Sequence, residues 1–148
     1  MDSHEEKELF RTDAEVERLV SMFEACTLPR QSWTHRAHLT VGLWYLVKHG
    51  EAVATELIRR GIQRYNQACG IETTATSGYH ETITLFYARM IERFLSRTGK
   101  AASLAVLAEA LFNSIGDKRL PLDYYSRERL MSREARTGWL EPDLKSLD

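Results

Sequence analysis

The stretch WTHRAHLTVGLWYLVKHG, at residues 33–50, decides the fold class. Its apolar residues fall on nearly every side of a helix, and Gly50 stands at a C-cap position. A helix that is apolar on most of its sides is normally central in its domain. We therefore predict a buried helix from about residue 32 to residue 49, with other helices packed around it.

The rest of the chain predicts the helices that surround this one. Thr12-Asp13-Ala14-Glu15 has the pattern of a capping box, and Gly61 marks a close approach to a neighbouring helix. No stretch has the pattern of a strand, so the predicted fold is an all-α, single-domain bundle over residues 1–148, with about five main helices. Apolar residues at three-four spacing place the other helices and turns at residues 12–26, 51–69, 79–97, 103–114, 126–131 and 132–137.

The two ends of the chain are predicted to be less regular than the bundle. Residues 1–11 are polar and are expected to fray. Residues 138–148 predict an irregular tail that wraps over the bundle or docks onto a second copy of the chain, which makes a homodimer one possible assembly.

Composition excludes several classes of partner. The 148 residues are 43% hydrophobic, and 20 basic against 21 acidic side chains give a formal charge of -1. Without a basic excess or a basic run, nucleic acid is not an expected partner. No apolar stretch is long enough to span a membrane, and the start of the chain is acidic where a signal peptide would be basic. Two distant cysteines without a CxxC motif indicate reduced thiols and a cytoplasmic location.

Two histidine motifs carry the main functional hypothesis. His35 and His38 are three residues apart on one helix face, which continues through Gly42 and Tyr45. Such a polar stripe on an apolar helix points at water or at something polar held inside the bundle, because buried polar groups are costly without partners.

The second motif, Tyr79-His80-Glu81, begins the fourth helix after the small, hydroxyl-rich loop 70–78. If this helix begins beside the first turn of the second helix, its histidine meets the other two. His35, His38, His80 and Glu81 would then bind a divalent metal such as Zn, Fe, Mn or Ni. The spacing matches neither the HExxH motif of zinc proteases nor the ligand set of di-iron bundles.

The leading hypothesis is therefore a metal-dependent enzyme that acts on a small molecule through an unspecified reaction. Glu81 and Tyr79 are its candidate catalytic residues, and Tyr45 and Arg127 its candidate substrate-binding residues. One alternative is a non-enzymatic module for a small ligand or a partner protein, with structural histidines. The other is a metal-free enzyme in which His38 or His80 acts as general acid or base.

Four segments resemble those of a bacterial family of small hypothetical proteins. The family has no established activity, so the resemblance implies no reaction. It implies that both histidine motifs and the C-terminal tail belong to one small protein. The similar segments are Thr27-Leu28-Pro29-Arg30, residues 33–39, residues 78–84 and residues 139–144.

Overall fold

The computed structural model describes residues 10–148, and this part of the chain contains helices and loops but no strand. The predicted all-α bundle with five main helices is confirmed. None of the helices in the described part is long and apolar enough to cross a membrane. The elements are α1 (Asp13–Glu24), a 3-10 turn (Arg30–Ser32), α2 (His35–Lys48), α3 (Glu51–Ala68), α4 (Glu81–Thr98), α5 (Leu104–Ile115), α6 (Pro121–Tyr124), α7 (Arg127–Leu130) and α8 (Arg133–Thr137).

Helix α2 is the central helix, as its composition predicts. It packs against α1, α3, α4 and α5. Leu39, Leu43 and Leu46 share one face of the helix and Val41 lies on the opposite side, yet all four are buried. The prediction placed the start of this helix near Ser32, which is too early. Residues 30–32 form a separate 3-10 turn, and Thr34 is the cap of α2, where its hydroxyl accepts from the Ala37 amide at 3.1 Å.

Local sequence signals at α1 and α3 are also confirmed. The Thr12 hydroxyl accepts from the Glu15 amide at 3.1 Å and donates to the Glu15 carboxylate at 3.2 Å. At Gly61 of α3, a Cβ atom would lie 2.8 Å from Cε2 of Phe23. Glycine therefore allows α3 to approach α1 across the Phe23 ring.

A second apolar cluster lies beyond the main core and includes Phe86 and Met90 of α4. The irregular C-terminal tail packs onto its own bundle and adds Leu147 to this cluster. Among the hydrogen bonds that hold it there, the Leu144 amide donates to the Tyr124 carbonyl at 2.9 Å, and the Tyr125 hydroxyl donates to the Leu140 carbonyl at 2.6 Å.

The segment around Pro121 lies outside every predicted helix and turn, but it forms the short helix α6 with this proline in its first turn, a position that needs no amide hydrogen. The predicted frayed segment, residues 1–11, lies mostly outside the described residues. Within the described part, Phe10 is half-buried and packs against the core.

Candidate functional site

A cavity of about 540 Å³, partly open to solvent, lies between α2, α3 and α4. The 3-10 turn and the turn after α5 complete its wall. Its lining combines aliphatic side chains with a group of polar and aromatic ones: Gln31, Trp33, Thr34, His35, His38, Leu39, Gly42, Ile58, Ile62, Ile83, Thr84, Tyr87, Ala88, Ile91 and Lys118.

The apolar wall follows from the way α2 and α4 meet. At Gly42, a Cβ atom would lie 2.9 Å from Cδ1 of Ile91, so the glycine allows a close approach of the two helices. Isoleucines from α3 and α4, together with Leu39 from α2, form this apolar wall of the cavity. The result is a hydrophobic surface that cannot hydrogen-bond to a ligand but can pack against one.

His38 lies in the polar part of the lining, and two contacts fix the orientation of its ring. The ring stacks on Trp33 with a centroid separation of 3.8 Å, and Nδ1 lies 2.8 Å from the Thr34 carbonyl. A carbonyl oxygen can only accept, so Nδ1 carries the proton of this hydrogen bond. In the neutral ring the lone pair is therefore on Nε2.

His35, the first residue of α2, lies beside Tyr87 in an edge-to-face contact with centroids 5.2 Å apart. The Tyr87 hydroxyl donates to the Asp117 carbonyl at 3.0 Å, which ties the turn after α5 to the cavity wall. Burial raises the pKa of Tyr87, so its hydroxyl stays protonated and remains a donor. The next residue in that turn is Lys118, which is exposed and lines the cavity.

His80 does not line the cavity. It is the N-cap of α4: its Nδ1 accepts from the Ile83 amide at 3.1 Å, and its Nε2 donates to the Leu130 carbonyl at 2.7 Å. Burial lowers the pKa of this imidazole, and the Arg136 guanidinium lowers it further, against the hydrogen bond to Leu130. Both ring nitrogens are thus engaged, Nδ1 in capping α4 and Nε2 in connecting it to α7.

Glu81 and Tyr79 also have partners away from the cavity lining. The Arg59 guanidinium donates from Nε to both Glu81 oxygens, at 3.0 and 3.1 Å, and the Tyr79 hydroxyl donates to the same carboxylate at 2.5 Å. Burial would raise the pKa of Glu81, but these hydrogen bonds outweigh it and the pKa falls below its ordinary value. Burial and the Glu81 contact raise the pKa of Tyr79.

The two candidate substrate-binding residues lie elsewhere as well. Tyr45 is buried, and its hydroxyl donates to Glu24 at 2.5 Å, so the polar stripe of α2 leaves the cavity after Gly42. Arg127 is exposed at the start of α7 and is not part of the cavity lining.

The structure therefore divides the predicted metal ligands between two places. His35 and His38 line the cavity, whereas His80 and Glu81 are hydrogen-bonded outside it. Within residues 10–148, no group of three or more His, Cys, Asp or Glu side chains is arranged to hold a metal ion. The reason is that the side chains of His80 and Glu81 point to α7 and α3, whereas the next residues of α4, Ile83 and Thr84, line the cavity.

Sequence reasoning missed several lining residues. Thr84, Tyr87 and Ile91 recur on one face of α4 at three-four spacing, a signal that could have placed this helix in the wall. Lys118 has no comparable local signal, because only the packing of the turn after α5 brings it to the cavity.

A scan against protein-family models found no match, and neither did searches of curated proteins and of solved structures.

Proposed function

We propose that this protein binds a small molecule in the cavity between α2, α3 and α4, with His35 and His38 in contact with its polar end. The observation that carries the proposal is the cavity itself. Its volume of about 540 Å³ lies within the range of small-molecule sites. Like such sites, it has a mostly apolar wall and a few polar groups that can fix the orientation of a ligand.

The test uses three probes with the same ring system: 2-naphthylmethanol, 2-naphthoate and 2-naphthylmethylammonium. Each is titrated to millimolar concentration while amide shifts are followed by NMR. We expect at least one probe to shift the amides of cavity residues. If none of the three binds there, the proposal is wrong.

A variant that fills the cavity locates the binding. Thr84→Leu adds apolar volume to the wall, and the hydroxyl that it removes donates to the carbonyl of His80 at the start of the same helix. The control is Thr98→Leu, since the hydroxyl of this exposed threonine on α4 also bonds a carbonyl of its own helix. We expect Thr84→Leu to weaken probe binding about tenfold or more and Thr98→Leu to leave it unchanged.

The geometry of His38 favours a second candidate, a divalent metal at the same cavity. Metal-binding histidines commonly donate their second ring nitrogen to a backbone carbonyl, as His38 does to Thr34. Elemental analysis of untagged protein, after incubation with Zn, Fe, Mn or Ni, tests this candidate. Metal bound to the wild type and to His49→Ala, but not to His38→Ala, would support this candidate. Wild-type protein without bound metal would exclude it.

A further inference from the structure

We propose that the ligand is an amphipathic molecule with its apolar tail inside the cavity and its polar head at the mouth, the end lined by Gln31 and His35. The tail ends at the contact between Gly42 and Ile91, so the Ile91 side chain limits its length. This inference rests on the proposed function, to which it adds the chemical class of the ligand, its direction of entry and the residue that sets its size.

The exposure of the lining residues shows which end of the cavity is deep. Every polar residue of the lining is half-buried or exposed, and Gln31, beside the first turn of α2, is one of the exposed ones. The fully buried lining residues are all apolar or glycine: Leu39, Gly42, Ile58, Ala88 and Ile91. The cavity therefore has a hydrocarbon interior and a polar, hydrated mouth.

The contact between Gly42 and Ile91 closes the deep end. Gly42 is the last lining residue of α2 and Ile91 the last of α4, and a Cβ atom at Gly42 would lie 2.9 Å from Cδ1 of Ile91. Further along the same face of α2, Tyr45 is buried and bonds Glu24 instead of lining the cavity. No described residue beyond this contact on either helix belongs to the lining, so a ligand that enters from the mouth ends here.

The two helices give the distance from the mouth to this contact. Gly42 comes seven residues after His35 on α2, and Ile91 comes seven residues after Thr84 on α4. A helix rises about 1.5 Å per residue, so each interval spans about 10 Å. This matches the length of an extended octyl group. A tail of that length can be buried while its head stays among the polar residues of the mouth.

The buried part of the lining favours a single apolar tail over a ligand that is polar along its length. Its side chains offer no hydrogen-bond donor or acceptor. A sugar or a nucleoside in this part would lose hydrogen bonds to water without replacing them, which is costly. A molecule with one polar end and a hydrocarbon tail avoids this cost, because its head remains in contact with water.

Primary alcohols from 1-butanol to 1-decanol test the tail, because the members of this series differ only in length. Binding is measured by NMR titration of the cavity amides, with each alcohol below its solubility limit. We expect the affinity to rise about fourfold for each added methylene, since each one buries hydrocarbon. The rise should stop near 1-octanol, where the tail reaches Ile91.

Two substitutions should move this length limit in opposite directions. Ile91→Val removes the Cδ1 atom that faces Gly42, so the rise in affinity should continue about one methylene further than in the wild type. Gly42→Ala places a methyl group at the deep end, so the rise should stop at a shorter alcohol. The matched control is Ile83→Val, which removes the same atom from a lining residue in the first turn of α4. It should lower the affinity for every alcohol alike and leave the length limit in place.

The outcomes separate this inference from the proposed function. Affinity that rises through 1-decanol without a limit, or a limit that Ile91→Val and Gly42→Ala leave in place, would overturn the inference. A limit that Ile83→Val moves as far as Ile91→Val does would overturn the assignment to Ile91. Binding of the naphthyl probes without binding of any alcohol would overturn the tail as the ligand class and leave the proposed function standing. Failure of all three naphthyl probes and of every alcohol would overturn the proposed function, and this inference with it.

Discussion

The imidazole of His80 uses both of its nitrogens to stabilise the fold. The acceptor nitrogen caps α4 at the Ile83 amide, and the donor nitrogen bonds the Leu130 carbonyl of α7. Only the neutral ring can do both, because a protonated ring has no acceptor nitrogen. This residue, predicted as a metal ligand, therefore has a structural role that requires the Nε2-protonated neutral tautomer.

Substitutions at His80 should separate its two hydrogen bonds. We expect His80→Ala to lower the free energy of unfolding by about 2–3 kcal/mol, since it removes a cap and leaves a buried carbonyl without its donor. His80→Asn keeps a good capping side chain and should recover about 1 kcal/mol of that loss. Urea unfolding followed by circular dichroism measures both. His49→Ala, at a half-buried histidine that caps no helix with its side chain, should cost less; equal losses would contradict this role.

The same residue predicts how stability depends on pH. Burial holds the pKa of His80 in the folded chain below 6.5, the ordinary value that applies when the chain is unfolded. As pH falls below 6.5, the unfolded chain takes up a proton that the folded chain does not, so stability should decrease until pH passes the folded pKa. Unfolding free energies measured at several pH values, for wild type and His80→Asn, isolate this contribution. A pH profile that is unchanged by His80→Asn would refute it.

At the scale of elements, a network of side chains fixes the segment that leads into α4. Arg59 of α3 bonds Glu81, which also accepts from the Tyr79 hydroxyl. From the other side, the Arg136 guanidinium of α8 donates to the carbonyls of Gly78 and Tyr79 at 3.1 and 3.3 Å. Loop 70–78 therefore ends in a segment that α3 and α8 hold between them.

Two glutamates that share Arg59 allow a matched test of this network. Glu81→Gln should lower the free energy of unfolding by about 1–2 kcal/mol, because the Glu81 side chain is only 13% exposed and a charged hydrogen-bond acceptor is lost. Glu56→Gln removes the exposed partner on the same helix as Arg59 and should cost less than about 0.5 kcal/mol.

Acid should act through the same carboxylate. The pKa of Glu81 is lowered from 4.5, so its contribution to stability is complete above that value and is lost as pH falls through the folded pKa. Unfolding curves at neutral and acidic pH measure this loss. Equal effects of Glu81→Gln and Glu56→Gln at neutral pH would show that the network does not stabilise the fold.

The elements also show which features of the site could be predicted from the sequence. His35, His38 and Gly42 share a helix face, and the periodicity that predicted this face is a local property that the structure preserves. The convergence of His80 with them depends on how two helices pack, and periodicity contains no information about that packing. Lys118 reaches the cavity only because Tyr87 binds the turn that carries it, a contact 30 residues apart in sequence.

For the whole molecule, the buried apolar side chains of the described residues form two clusters. The main core is built by α1 to α5, whereas the second cluster combines α4 with the short helices and the tail. In that second cluster, Leu147 is 7% exposed and lies with Phe86 and Leu130. The Arg93 guanidinium donates to the Leu147 carbonyl at 2.5 Å, which holds the end of the chain on α4.

Two leucines of the tail test whether this second cluster contributes to the stability of the whole molecule. Leu147→Ala should lower the free energy of unfolding by about 2 kcal/mol, at the low end for a buried leucine because the irregular tail around it can relax into the space. Leu144→Ala, at a side chain that is 59% exposed, should change it by less than about 0.5 kcal/mol. Urea unfolding, followed by circular dichroism and by the fluorescence of Trp139, gives both values. For the fluorescence measurement, Trp33 and Trp44 are replaced by phenylalanine, so that only Trp139 is observed. If the tail docks as part of one cooperative unit, the two probes will report the same midpoint for Leu147→Ala. An earlier fluorescence midpoint would instead show that the tail detaches while the main core stays folded. Equal losses of stability in Leu147→Ala and Leu144→Ala would refute the docking of Leu147.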